Sequence, residues 1–113
     1  MTKYKAQPVT IDGIRFASKK EANRYCELRL LLKAGEISNL EIQPRFKLLI
    51  NGAALRYDSG RPAFYVADFA YFDPSRERRI VEDVKSPATK TPLYKLKRAL
   101  VEAIYPAVKI VEI

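Results

Sequence analysis

Histidine is absent from this chain. That excludes imidazole general bases, histidine-nucleophile nucleases and most zinc sites. Any catalysis must run on carboxylates, Lys, Arg, Tyr, Ser or Thr. Cysteine occurs once, at Cys26, so no intrachain disulfide can form. A reducing, intracellular (cytoplasmic) setting is the expectation, and Cys26 is read as helix packing. Long apolar runs are also missing, so no segment is expected to cross a bilayer. The start, Met1-Thr2-Lys3-Tyr4-Lys5, lacks the apolar stretch of a signal peptide. Acidic charge is scarce. Thirteen Asp and Glu stand against 21 Lys and Arg, a net charge of +8, with a pI near 9.7. A small basic domain of this kind meets nucleic acid or another anionic surface.

What remains is an ordinary globular composition. The chain has 113 residues, 48% of them hydrophobic, enough for one domain around one modest core. Repeats, linkers and low-complexity stretches are lacking. Residues 3–16 read as an irregular start with an Asp12-Gly13 turn. Ser18-Lys19-Lys20-Glu21 is a capping-box pattern. It predicts a helix to about Lys33, closed by Gly35. The inward stripe is Tyr25, Leu28 and Leu32, with Leu31 beside it and Glu21 one turn earlier. Arg24, Arg29 and Lys33 fall elsewhere on the surface. Residues 37–50 predict a strand bent at Pro44, and Asn51-Gly52 a hairpin turn. Residues 63–72 and 79–85 predict two more strands. Thr91-Pro92 marks a second helix start. That helix should run to about Ile104 with Leu93, Leu96, Leu100 and Ala103 inward, followed by a short strand over 108–113. The order helix, three strands, helix, strand implies an α/β fold: a mixed central sheet flanked by helices. The first three strands should be antiparallel and the last joined by a right-handed crossover.

Chemistry concentrates on two strands. In Val81-Glu82-Asp83-Val84-Lys85, alternation points Asp83 and Lys85 to one face and Glu82 to the other. Asp68 ends the run Tyr65-Val66-Ala67-Asp68, where the period-two pattern expects an apolar side chain. A carboxylate there is costly unless paired or metal-bound. The ordinary reading of Asp68 is an exposed strand end or an ion pair with Arg79, and that of Asp83 with Lys85 is a same-strand ion pair. Neighbouring strands nevertheless bring two carboxylates and an ammonium together, a group able to bind a divalent cation and activate water. Glu21 is explained by its cap alone, yet its stripe faces the sheet. Two basic groups, Lys19, Lys20 and Arg24, then Lys90, Lys95, Lys97 and Arg98, are solvated helix faces or phosphate contacts on either side of the acids. Ser86 and Thr89 make turns or bind phosphate. Gln43 is a strand end or a ligand to the scissile phosphate. Tyr65, Phe69, Tyr71 and Tyr94 are core, or stack on bases.

Glu21 on the first helix, Asp68 on the second strand and Asp83-Val84-Lys85 on the third together resemble the PD-(D/E)XK nuclease superfamily, over nearly the whole chain. Asp83-Val84-Lys85-Ser86 with Thr89 and a basic helix looks like the archaeal-type Holliday junction resolvases. Phe16-Ala17-Ser18-Lys19-Lys20-Glu21-Ala22 and Tyr65-Val66-Ala67-Asp68-Phe69 look like small phage nucleases. Two positions depart from the pattern: Ala67 stands for the usual Pro, and Asp83 for the usual Glu. The resemblance implies a restriction-endonuclease-like αβββαβ core. It also implies Mg²⁺, with Mn²⁺ substituting, on Asp68, Asp83 and the Val84 carbonyl, and with Glu21 reaching it directly or through water. Lys85 would orient or deprotonate the attacking water, giving 5′-phosphate and 3′-hydroxyl ends. The expected activity is structure-specific cleavage of DNA in recombination or repair. A homodimeric four-way junction resolvase comes first. Behind it stand a flap, nicked or linear-duplex nuclease of the same superfamily and a non-catalytic DNA-binding module. Both a cellular and a phage origin fit.

Overall fold

The computed structural model describes residues 7–113. Two three-residue strands, β1 (Val9–Ile11) and β2 (Ile14–Phe16), open it as an antiparallel hairpin. The expected irregular start is therefore a hairpin from Val9 onward, and residues 3–6 lie outside the described residues. Its turn holds Asp12 at φ 54° and Gly13 at φ 75°. Positive φ at both central positions gives the turn the twist that a two-residue hairpin needs.

Helix α1 (Lys19–Lys33) starts where the cap predicted, with the Ser18 side chain accepting from the Glu21 amide. The Glu21 carboxylate reaches back one residue further than expected, to the Ala17 amide at 3.4 Å. Ala22, Tyr25 and Leu28 are buried, and Leu32 is 41% exposed. The inward stripe is thus shifted from the predicted one. Cys26 is exposed rather than packed.

The predicted first strand is divided into β3 (Ser38–Ile42), β4 (Arg45–Lys47) and β5 (Leu49–Ile50). Strand β5 turns through Asn51-Gly52 into β6 (Ala53–Ala54). The second is also broken, into β7 (Phe64–Val66) and β8 (Phe69–Asp73). Pro44 has no amide to donate, and its carbonyl accepts from Ala67. The ladder cannot run straight through, so β4 and β7 form a separate ribbon and the chain steps at Ala67-Asp68 into the main sheet. Strand β9 (Arg78–Asp83) follows, and a 3-10 turn (Pro87–Thr89) leads to α2 (Pro92–Ile104), capped by the Thr91 side chain. Strand β10 (Ile110–Glu112) ends the chain.

The central sheet has the order β10-β9-β8-β3. β3–β8 and β8–β9 are antiparallel, and β9–β10 is parallel across the α2 crossover. The fold is α/β, with a mixed sheet and a helix on each side. Ile80, Val81, Glu82 and Asp83 are consecutive and all buried, as a strand covered on both faces requires. Val81 belongs to a core with Tyr65, Tyr94 and Val101. Ile80 and Val84 belong to a second core with Phe16, Tyr25 and Leu28. Glu82 therefore faces α1, and Asp83 faces α2. Helix α2 buries Tyr94 and Val101, while Leu93 and Leu96 are 58% and 59% exposed and Ala103 is also exposed. Of the predicted α2 stripe only Leu100 packs against the core.

Candidate active site

The step at Ala67 places Asp68 at the mouth of the central sheet. Its amide donates to the Glu82 carbonyl and its carbonyl accepts from Gln43. The side chain turns across β9, where Oδ2 accepts from the Val84 amide at 2.7 Å. The Asp83 carboxylate meets it there. Neither ordinary explanation of Asp68 holds. It is half-buried, and Arg79 bonds Glu41 instead, at 2.9 Å.

Asp83 is buried. Its Oδ1 lies 3.1 Å from Lys85 Nζ, and its Oδ2 accepts from the Tyr65 hydroxyl. Asp83 and Lys85 share a face, as strand alternation requires, and Asp83 rather than Glu82 is the partner of Lys85. Lys85 is 17% exposed at its side chain and lies 4.2 Å from the Tyr94 ring centroid, a contact that favours a held ammonium. Glu82 turns the other way and accepts from Arg24 Nε and Nη2 at 2.8 and 2.6 Å and from the Tyr71 hydroxyl.

Electrostatics separate the acids. Burial, then the Asp83 charge and the hydrogen bond with it, push Asp68 up to about 8, against the opposing Val84 amide. Burial raises Glu21 as well, with the Asp83 charge adding to it; the Ala17 amide and Lys85 oppose the rise. The Tyr65 hydroxyl is raised by burial and by its bond to Asp83, so it stays protonated and donates. Two carboxylates face each other in a partly dry site with one ammonium, Lys85, between them, so one acid is left without its own counter-charge. Such hard-oxygen donors suit Mg²⁺. Among the described residues no three acids stand close enough to share one ion.

Three open clefts meet at this group. One, of about 580 Å³, holds Glu21, Asp68 and Gln43 beside Arg15. A second, of about 310 Å³, runs between the start of α1 and the 3-10 turn and holds Lys20, Glu21, Lys85, Ser86 and Thr89. A third, of about 300 Å³, holds Asp83, Lys85, Thr91 and Lys97.

Over residues 1–113 the chain matches the family described as "Protein of unknown function (DUF1064)". It belongs to that family. No curated protein and no solved structure matches it.

The basic residues divide. Lys19 and Lys95 are exposed, and Lys20 donates to the Lys85 carbonyl at 2.6 Å, at the site's rim. Arg24 does not belong to a DNA surface: it is spent on buried Glu82, whose charge needs a counter-ion there. Arg98 is likewise committed, to Glu112 at 2.8 Å and the Ile110 carbonyl at 3.0 Å, tying α2 to β10. Lys90 pairs with Glu112 at 3.0 Å. Ser86 and Thr89 cap their own 3-10 turn through a reciprocal pair of bonds. Tyr65, Phe69, Tyr71 and Tyr94 are buried core and cannot stack on bases. Sequence reasoning missed Arg15, which only the hairpin brings to the cleft. It also missed Tyr65 as a donor to Asp83, although the alternation that places Asp83 gave a means of asking which tyrosine faces it.

Proposed function

We propose that this chain is a metal-dependent endodeoxyribonuclease of the PD-(D/E)XK type, working inside the cytoplasm of a cell or of a phage-infected bacterium. The observation that carries the reading is the facing pair Asp68 and Asp83, with Lys85 3.1 Å from Asp83, at the meeting of three clefts in a chain of net charge +8. Asp68, Asp83 and the Val84 carbonyl would hold Mg²⁺ or Mn²⁺, which when bound supplies Lewis-acid stabilisation of phosphate oxygens and an acidified water. The Val84 amide and Tyr65 hydroxyl fix the two carboxylates, so little reorganisation is left for the reaction. Lys85 orients the incoming water and offsets charge growing on the phosphate. Glu21, kept above its ordinary value by burial, is placed to relay a proton through water. Lys20, at the rim of the cleft, holds a flanking phosphate. The products carry 5′-phosphate and 3′-hydroxyl ends.

The preferred substrate is branched DNA, first a four-way junction cut by a homodimer, since paired incisions need two sites and one chain supplies one. Flap, nicked and linear duplex DNA are the alternatives. One observation favours a non-catalytic DNA-binding module instead: both Asp83 oxygens already have partners, Lys85 and Tyr65. Labelled junction and duplex incubated with and without Mg²⁺ decide between them. Cleavage that requires a divalent ion and is lost in Asp83→Asn and Lys85→Ala is expected. Binding without cleavage in any divalent metal would falsify the enzyme. Cleavage surviving either substitution would remove the site, and equal rates on duplex and junction would remove the junction preference.

A further inference from the structure

A fourth cleft, of about 350 Å³, adjoins the one that holds Asp83 and Lys85, sharing Phe64, Val66 and Lys97 with it. Its remaining wall carries Arg45, Arg61 and Tyr57. The ion pairs of the described residues leave Arg45, Arg61 and Lys97 without an acidic partner. Arg45 lies over Phe64, its Cζ 4.2 Å from the ring centroid, and Lys97 Nζ lies 5.9 Å from that of Tyr57. Tyr57 is 46% exposed, yet its backbone is fixed. Its amide donates to the Arg61 carbonyl, its carbonyl accepts from Gly60, and Arg56 clamps the Gly60 carbonyl at 2.8 Å. Asp58, the one acid of this loop, lines a separate cleft with Arg56.

Three uncommitted cations around an exposed, pre-positioned aromatic ring make the combination that binds single strands: charge along the backbone and a π-face for a base. In a duplex the bases are already stacked and offer no face to Tyr57, so these four residues suit an unpaired nucleotide. We propose that this cleft is the track for an unpaired nucleotide of the substrate strand. Tyr57 stacks on its base, and Arg45, Arg61 and Lys97 bind the phosphates leading to Asp68 and Asp83. This rests on the nuclease reading and moves its preferred substrate from the fully paired junction to the flap alternative, DNA with a single-stranded segment beside the cut.

Fluorescence anisotropy in EDTA tests it without cleavage, using a blunt duplex and the same duplex with a single-stranded tail. The tail is expected to strengthen binding. Tyr57→Ala should remove about tenfold of the tailed affinity, leave the blunt duplex unchanged, and be rescued by Tyr57→Phe. Arg45→Ala, Arg61→Ala and Lys97→Ala should each lower the log–log salt slope of tailed binding by about 0.7. A tail that adds no affinity, or Tyr57→Ala costing the same on both DNAs, overturns the track. Cleavage in Mg²⁺ is scored separately. Tail-independent cleavage overturns the track and leaves the nuclease standing. Tail-dependent binding with no cleavage in any divalent metal supports the track and removes the nuclease.

Discussion

Glu82 and Asp83 are adjacent on one strand, equally buried, and opposite in circumstance. Glu82 is 1% exposed and Asp83 2%. Glu82 meets a guanidinium in a two-pronged contact and a tyrosine hydroxyl on the α1 side. Its charge is matched, and it fastens the helix that carries Glu21 to the strand that carries Asp83. Asp83 meets a lysine and a tyrosine hydroxyl on the α2 side, and also another carboxylate. Burial alone therefore does not distinguish structural acids from reactive ones. The sign of the neighbours does. A fold built for stability alone would not bring Asp68 against Asp83, because two carboxylates at close range with one ammonium leave charge unbalanced in a medium that screens poorly.

The largest effect that can break this contrast is on the Glu82 side. Glu82→Gln leaves partly buried Arg24 with only the exposed Glu27, 3.4 Å away, as counter-charge, and unfolding free energy should fall by about 3–5 kcal/mol. Urea denaturation at pH 7 measures it. A loss under about 1 kcal/mol would mean that the pair is no more than a surface bridge. On the other side, Asp83→Asn should keep the fold and cost about 10²–10³ in cleavage rate, the scale of losing one electrostatic stabiliser. A single-turnover assay beside a circular dichroism melt separates the two. If Asp83→Asn unfolds the chain and Glu82→Gln does not, the contrast is inverted.

Much of this arrangement is legible locally. Ser18 and Thr91 announce the two helix starts, Asp12-Gly13 and Asn51-Gly52 announce turns, and strand alternation separates Asp83 from Glu82. Each of these signals lies within a few residues of what it determines. The parts that escaped depend on distant partners. Arg24 reaches Glu82 across 58 positions, so nothing beside Arg24 marks it as internal, although a Glu82 turned inward implies a cation on the helix it faces. The hairpin β1–β2 has only three residues per strand, too few to show a period. On α2 the regular leucine spacing pointed to the wrong face: the helix is set down through Tyr94 and Val101, with Tyr94 reaching Lys85 and Glu112. That leaves Leu93 and Leu96 in solvent. The break at Ala67-Asp68 follows from Pro44, a proline on the neighbouring strand rather than on Asp68's own. The nuclease resemblance rests on the same residues that the structure gathers, Glu21, Asp68, Asp83 and Lys85, and the cleavage assay is its test.

The smallest effect is also the one that an ion-pair explanation cannot imitate. Asp68 is pushed up to about 8 from an ordinary 3.8, chiefly by burial and then by Asp83. The folded chain therefore holds a proton that the unfolded chain releases above about pH 4. Between those values the native state binds more protons, so stability falls as pH rises through the window and the contribution is lost above pH 8. Asp68→Asn removes the titrating group while keeping an oxygen for the Val84 amide. The metal-free variant should be more stable than the parent at pH 8 by about 1–3 kcal/mol and no different at pH 4. Added Mg²⁺ should raise the parent's melting temperature and leave the variant's unchanged. Thermal melts at the two pH values, each with EDTA or Mg²⁺, read both comparisons in one plate. A structural carboxylate would give the opposite sign, with Asp68→Asn losing stability at pH 8, and that result would move Asp68 to Glu82's side of the comparison.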